Sequence, residues 1–228
     1  MMKFVVQNVR NGGCRLGILS EISGVDQNIE TPMCMLYTRA GIIIFFVDID
    51  LFMKIQEAAC PTIYTALSDS DTDAQSGKKR CTKAVDRTLG FLDDIVDRHR
   101  KSKILKDSAL IGAVVGGYSE HERLRSAKET STRPVQGIFL QFLSICWEVL
   151  SKIRRKINFE CLPEDKCRLL PGVLRPDQVL HAVTMGIDIF DSSYPLHVRV
   201  SGKNFRLPSS KFFPSYCISG IICWYFLS

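Results

Sequence analysis

The residue best placed for chemistry is Asp191, which follows a short apolar segment over 187–190. The stretch before it predicts a strand over 168–173, a helix over 176–185 and a strand over 187–190. In parallel α/β folds, reactive carboxylates are usually carried at the carboxyl ends of strands. Asp191 is therefore a candidate catalytic carboxylate, and capping of the following turn is the alternative.

The helix that precedes Asp191 carries clear start and stop signals. Pro176 suits the first turn, where its missing N–H costs no hydrogen bond. Asp177 lies in the same turn, where the helix dipole favours a negative charge. Gly186 is a natural residue to end the helix. We therefore expect a strand–helix–strand unit that positions Asp191.

A second group of residues suggests contact with phosphates. Four cations lie close together near the end of a predicted helix: Lys152, Arg154, Arg155 and Lys156. A further basic run occupies 78–80. Such clusters can follow a nucleic-acid backbone, and the alternative is a solvated helix end and a turn.

Composition limits the class of protein. Of the 228 residues, 46% are hydrophobic and 24% charged, which is typical of a globular chain. The formal charge of +6 permits nucleic-acid binding without demanding it. The nine cysteines include no C-x-x-C pair, so we expect no disulfides and a reducing compartment. We expect neither a signal peptide nor a transmembrane helix.

From residue 60 onward, predicted strands and helices alternate. The strands cover 63–67, 109–115 and 135–140, and the helices cover 82–100, 119–128 and 141–157. Alternation of this kind favours a parallel sheet covered by helices. A TIM barrel needs eight such units and about 250 residues. With five or six strands, an incomplete barrel is expected, while a doubly wound sheet lacks its G-x-G-x-x-G after the first strand.

The two ends of the chain do not follow this alternation of strands and helices. Short strands are expected over 4–6, 15–19 and 33–38, and the apolar run 41–47 could be a strand or a helix. The alternation of strands and helices ends at about residue 200. We therefore assign 1–200 to a partial (β/α) barrel and 201–228 to an irregular tail.

Four stretches resemble the tRNA-guanine transglycosylase family. The most specific is LRPDQVLHAVTMGIDIFDSSYP, which is similar to the family's helix and its G-(V/I)-D-(M/I)-F-(D/E) strand. The others are IETPMCMLYTRAG, the stretch from FMKIQEAACP to VDRTLGFLD, and LIGAVVGGYSEHERLRSAKETSTRPVQGIFL. Together they cover most of 12–195, in the form used by the family's accessory subunits.

The resemblance implies a (β/α)8 barrel with a zinc-binding insertion. It also implies a reaction that replaces the wobble guanine of certain tRNAs with queuine. A carboxylate at a strand end would attack the ribose C1′, much as in retaining glycosidases, and Asp191 matches that nucleophile. The base pocket implied by the resemblance would include Gly116, Gly117, Asp69 and Asp71.

Several departures from the catalytic pattern are visible. Val115 stands where catalytic members carry a base-reading Gln, and the Ser-Gly-Gly-Phe-Gln segment with its general-base Asp is absent. Zinc is expected for the family, but its Cys-x-Cys-x-x-Cys ligands with a downstream His do not occur. Cys217 and Cys223 are too widely spaced to replace them. The expected barrel thus lacks part of the N-terminal half and the C-terminal zinc region.

These departures favour a non-catalytic accessory subunit. It would form a heterodimer with a catalytic queuine tRNA-ribosyltransferase subunit and help to bind tRNA. A self-sufficient exchange enzyme that uses Asp191 and a truncated, inactive product are the alternatives. We expect a cytoplasmic protein, with peripheral attachment to the mitochondrial outer membrane left open.

Overall fold

The chain forms a small antiparallel sheet and a larger parallel sheet covered by helices. The computed structural model describes residues 2–9, 13–22, 26–35, 48–141, 162–172 and 174–191. The ambiguous run 41–47, most of the predicted helix over 141–157 and the tail 201–228 lie outside these residues.

The strands and helices follow the predicted alternation from residue 60 onward. The strands are β1 Lys3–Val9, β2 Arg15–Ser20, β3 Ile29–Thr31, β4 Met33–Met35, β5 Ile63–Thr65, β6 Ala109–Val114, β7 Gly137–Leu140, β8 Cys167–Leu170 and β9 Ile189–Asp191. The helices are α1 Ile49–Ala59, α2 Lys78–Lys101, α3 Glu120–Ser131 and α4 Pro176–Thr184. A short 3₁₀ helix, Leu105–Asp107, precedes β6.

The parallel sheet has the strand order of a barrel from which a sector is missing. Its order is β4-β9-β8-β7-β6-β5, and every neighbouring pair is parallel. Strands β5 to β9 follow the chain order, and β4, the first strand of the sheet, pairs with β9, the last. Pairing of the first strand with the last is how a barrel closes. The prediction of an incomplete α/β barrel is confirmed.

Side chains alternate between the inside of the barrel and the helices. Ile111, Leu169 and Ile189 lie in one apolar cluster with Phe4 and Leu19 of the antiparallel sheet. This sheet therefore covers the interior near the amino ends of the strands. The opposite end, at the carboxyl ends of β4 to β9, is called the barrel mouth below.

The outer layer is packed by amphipathic helices. Helix α2 buries Val85, Leu89, Leu92 and Val96, the residues whose spacing predicted it. Helix α3 begins after Ser119, whose hydroxyl accepts a hydrogen bond from the Glu122 N–H. The sequence reading did not predict α1, although Asp48 caps it by accepting the Leu51 N–H at 2.8 Å.

A buried ion cluster joins the two sheets. The Asp188 carboxylate is fully buried, lies 3.4 Å from Arg15 Nε of β2 and accepts the Arg168 N–H of β8 at 2.8 Å. Burial raises the pKa of Asp188 to about 6, against the opposing effect of the two arginines. Asp188, which interrupts the apolar segment before Asp191, therefore links the antiparallel sheet to the parallel sheet.

Two further expectations concern the cysteines and membranes. Cys14, Cys60, Cys81 and Cys167 are free thiols in the described part of the chain. Burial raises the pKa of Cys167 to about 12, so this thiol stays protonated at neutral pH.

Among the helices that the structure describes, none has the length and apolar character needed to cross a bilayer.

Candidate functional site

Asp191 lies at the barrel mouth, as the sequence predicted, but it is the last residue of β9 rather than the residue after it. Its Oδ2 atom accepts the N–H of Gly172 at 3.2 Å. Gly172 follows β8, the neighbouring strand, so the carboxylate is held by the loop beside it. In this position Asp191 can present a carboxylate to a ligand in the mouth.

The loop beside Asp191 leaves room for close approach. Gly172 has φ +135°, a conformation that side-chain-bearing residues rarely adopt. Among the described residues, no atom lies within 4 Å of a Cβ added there. The backbone conformation therefore requires glycine, and no described side chain occupies the space next to it.

Gly116 and Gly117 form the turn that follows β6, at the same mouth. The guanidinium of Arg123 lies under this turn, where its Nε donates to Gly117 O at 2.6 Å and its Nη2 donates to Gln141 O at 3.0 Å. Arg123 is almost fully buried, and burial lowers its pKa to about 10. It remains charged at neutral pH and ties the end of β6 to the end of β7.

Val115, just before this turn, is directed away from the mouth. It is buried and packs in a small apolar cluster with Val85 and Leu89 of α2. A residue at this position is therefore part of the contact between the sheet and α2. Val115 can neither form a hydrogen bond with a base nor reach one.

Asp69 is engaged by two arginines of α2. Its carboxylate accepts hydrogen bonds from Arg80 at 3.0 Å and from Arg87 at 3.2 Å, and its side chain is only 8% exposed. Burial alone would raise the pKa of Asp69, but these hydrogen bonds outweigh it and hold the pKa below its usual range. Asp69 is therefore an ionised anchor for the start of α2.

Asp71, the other predicted pocket carboxylate, faces solvent. Its side chain is fully exposed, and its nearest cationic contact is Arg80 Nη2 at 3.9 Å. The structure therefore places Asp69 and Asp71 after β5 but gives them different surroundings. The side chain that combines burial with an ion pair is Asp69.

Sequence reasoning missed Gln141, which follows β7. The aligned residues Phe139, Leu169 and Ile189 occupy one level of β7, β8 and β9. Gln141 and Asp191 each lie two residues further toward the mouth and share that level. No motif marks Gln141, because its position depends on the register of three strands.

The predicted zinc ligands and phosphate-binding residues lie mostly in segments that the structure does not describe. Within the described ranges, no group of His, Cys, Asp or Glu side chains is arranged to hold a metal ion. Cys217, Cys223 and the predicted phosphate-binding residues Lys152, Arg154, Arg155 and Lys156 lie outside the described part.

Comparison with known proteins agrees with the motif resemblance. Residues 44–207 match the family described as "Queuine tRNA-ribosyltransferase". A protein from Danio rerio is 41% identical over 155 residues, which is 66% of this chain and 37% of that protein. One from Homo sapiens is 40% identical over 156 residues (66% and 37%), and one from Ixodes scapularis is 42% identical over 150 residues (62% and 38%).

All three relatives are named queuine tRNA-ribosyltransferase accessory subunit 2. The chain spans a little over a third of their length, since the matched region is 37% or 38% of each. The family match itself covers more than half of this chain. The chain therefore belongs to the queuine tRNA-ribosyltransferase family.

Proposed function

We propose that the chain is a non-catalytic accessory subunit of a queuine tRNA-ribosyltransferase. In this role it would associate with a catalytic subunit that exchanges guanine for queuine at the tRNA wobble position. The names of its relatives support the assignment. The observation that carries it is Val115, which stands at the base-reader position and packs against α2.

The chemistry of base exchange explains why this observation matters. Displacement at a ribose C1′ requires a nucleophile, a group that holds the base and a group that moves a proton. Asp191 can supply the first. Asp69 is bound by Arg80 and Arg87, and its lowered pKa makes it a poor proton carrier at neutral pH. In the part of the mouth that the structure describes, Asp191 suits the first task, whereas Val115 and Asp69 are poorly suited to the other two.

Contacts with tRNA are the second part of the proposal. The cluster of Lys152, Arg154, Arg155 and Lys156 would neutralise backbone phosphates. Four such contacts predict that the logarithm of the binding constant falls with the logarithm of salt concentration with a slope of about −3. Alanine at all four positions should make the slope shallower and weaken binding to different tRNAs equally.

Co-purification tests the association. A tagged form of the chain, expressed with a catalytic queuine tRNA-ribosyltransferase subunit, should retain that subunit through size-exclusion chromatography. The Asp191→Asn variant should retain it equally well, because the proposed role does not use the carboxylate. Separate elution of the two proteins at micromolar concentration would rule out the proposal.

A self-sufficient exchange enzyme is the alternative, and the placement of Asp191 favours it. The carboxylate accepts the Gly172 N–H at a point where no described side chain lies close to the glycine. That reading predicts a covalent adduct between the chain and tRNA that survives denaturing electrophoresis and is lost in Asp191→Asn. The accessory-subunit proposal predicts no adduct in either protein.

A further inference from the structure

Ser102, which directly follows α2, connects this helix to α1 through its hydroxyl group. The hydroxyl donates a hydrogen bond to Oε1 of Glu57, in the last turn of α1, at 2.6 Å. The same oxygen accepts the N–H of Leu105, the first residue of the 3₁₀ helix, at 3.3 Å. Ser102 and Glu57 are both half-buried. The hydroxyl is therefore close to solvent and is also part of the contact between the two helices.

Ser102 lies within a cluster of exposed cations at the end of the barrel opposite the mouth. Arg100, Lys101 and Lys103 are exposed, and among the described residues none of them forms an ion pair. The dipole of α2 favours cations in its last turn, which accounts for Arg100 and Lys101. Lys103 lies beyond the helix. The cluster therefore exceeds what the end of α2 requires.

We propose that Ser102 is phosphorylated by a serine/threonine protein kinase that selects cations around its target, and that the phosphate releases the end of α1 from α2. Kinases recognise substrates in part by charge pattern. Arg98, Arg100 and Lys101 precede Ser102, and Lys103 follows it. The backbone at Ser102 is extended, with φ −74° and ψ 125°. Binding in a kinase cleft therefore requires only the last turn of α2 to open, as helix ends do readily.

The transfer reverses the electrostatics of the contact with Glu57. The Ser102 Oγ atom forms a bond with the γ-phosphorus of ATP as the bond from that phosphorus to the β–γ bridging oxygen breaks. ADP leaves, and the hydroxyl proton is released to solvent. The product carries a charge of about −1.5 to −2 at pH 7. Because the donated proton is lost and a second anion now faces the carboxylate, the hydrogen bond becomes a repulsion.

The release should be confined to the last turn of α1. The exposed cations around Ser102 stabilise the phosphate by charge-assisted hydrogen bonds. The first half of α1 keeps two other attachments to the barrel. Asp50 is paired with Arg98 of α2, and Phe52 and Met53 are buried in an apolar cluster. The segment from Glu57 to Cys60 is therefore the part that moves. This inference does not depend on the proposed function.

Phosphorylation of the full chain by protein kinase C with ATP, followed by peptide mapping by mass spectrometry, tests the modification. The peptide that contains Ser102 should carry phosphate. Reversing two charges, in Arg100→Glu with Lys101→Glu, should slow phosphorylation of this peptide by about tenfold or more. The matched control reverses two exposed lysines elsewhere, in Lys83→Glu with Lys128→Glu, and should leave the rate unchanged.

Hydrogen exchange of the chain before and after phosphorylation tests the release. The Cys60 N–H, which donates to Gln56 O at 2.9 Å, should exchange faster in the phosphorylated chain, whereas the Phe52 N–H should not change. In Glu57→Gln, the amide can donate to the phosphate, so phosphorylation should not accelerate exchange at Cys60.

Two results would overturn the inference. One is the absence of phosphate on the peptide that contains Ser102, which removes the modification. The other is phosphorylation that leaves exchange at Cys60 unchanged, which removes the release of α1. Both measurements use the wild-type chain, so neither depends on the folding of a variant. Thermal unfolding shows whether the charge-reversed and Glu57→Gln proteins are folded before they are compared.

Discussion

At the scale of single residues, the polar groups of the mouth differ in how the fold binds them. Asp69 and Arg123 have their main hydrogen-bonding groups bound to other parts of the fold. The Asp191 carboxylate accepts the Gly172 N–H from the loop after the neighbouring strand. Residue type alone does not distinguish these roles, because Asp69, Asp188 and Asp191 all follow or adjoin apolar segments.

Replacing Asp69 with Asn should destabilise the fold. The change removes a carboxylate that is 8% exposed and leaves Arg80 and Arg87 without their shared partner. We expect a loss of about 1–2 kcal/mol at pH 7, since both arginines keep some contact with water. Urea unfolding measures it. Asp71→Asn, two residues away and fully exposed, should cause little change.

The Asp69 contribution should also depend on pH. Its pKa in the fold lies below the ordinary value, so the ionised form stabilises the folded state. The stability difference between wild type and Asp69→Asn should be present above about pH 4 and shrink as the pH falls further. A difference that persists unchanged into strong acid would contradict the assigned ion pairs.

The contribution of Asp188 to stability should depend on pH in the opposite direction. Its pKa of about 6 in the fold exceeds the unfolded value, so its protonated form favours folding. Relative to Asp188→Asn, the wild type should lose about 3 kcal/mol of unfolding free energy as the pH rises from about 3 to about 7. Denaturant titrations across this interval measure the effect. If the difference in unfolding free energy between the two proteins did not change with pH, burial would not be the main influence on the pKa of Asp188.

At the scale of elements, the mouth is set by the turns that end the strands. The turn after β6 brings Gly116 against the start of α3, and Arg123 of that helix binds the ends of β6 and β7. Helix α2 covers Val115 and holds Asp69 through Arg80 and Arg87. Stability and the shape of the mouth are therefore coupled through α2 and α3.

Gly116→Ala should destabilise the fold more than any exposed glycine substitution. Gly116 has φ +133°, and an added Cβ would lie 2.7 Å from the Arg123 backbone nitrogen. We expect a cost of more than about 2 kcal/mol from strain and displacement of α3. Gly90→Ala, at an exposed position of α2 with no atom within 4 Å, should instead stabilise by about 0.5–1 kcal/mol.

Comparing the free energies of unfolding of these two variants tests whether the turn at Gly116 is packed tightly against α3. A neutral Gly116→Ala substitution would mean that the turn can relax away from α3. An equal loss in Gly90→Ala would mean that the effect comes from alanine itself.

At the scale of the whole molecule, the sequence predicted the layered alternation and the strand end at Asp191, but not how the other side chains of the mouth are oriented. Helix α4 was predicted to within a residue at its start and its end, because Pro176 and Gly186 are strong local signals. Helix α1 was missed, since the apolar run before Asp48 has no period. The roles of Val115 and Gln141 could not be predicted, because side-chain direction at a strand end depends on the pairing of other strands.

The parallel sheet has two edge strands, β4 and β5, in the described part of the chain. Residues from the antiparallel sheet, Phe4 and Leu19 among them, fill the interior near the amino ends of the strands. The core of the described barrel sector is thereby completed by a second sheet, joined to it through Arg15 and Asp188. A single cooperative unfolding transition is expected for this arrangement, and calorimetry measures it.

Under the proposed function, this chain supports base exchange without performing it. Incorporation of labelled guanine into tRNA should be measured for the chain alone, for a catalytic subunit alone and for the two together. We predict no incorporation above background by the chain alone, and greater incorporation by the pair than by the catalytic subunit alone, with Asp191→Asn as effective as the wild type in the pair. Incorporation by the chain alone that disappears in Asp191→Asn would contradict the account.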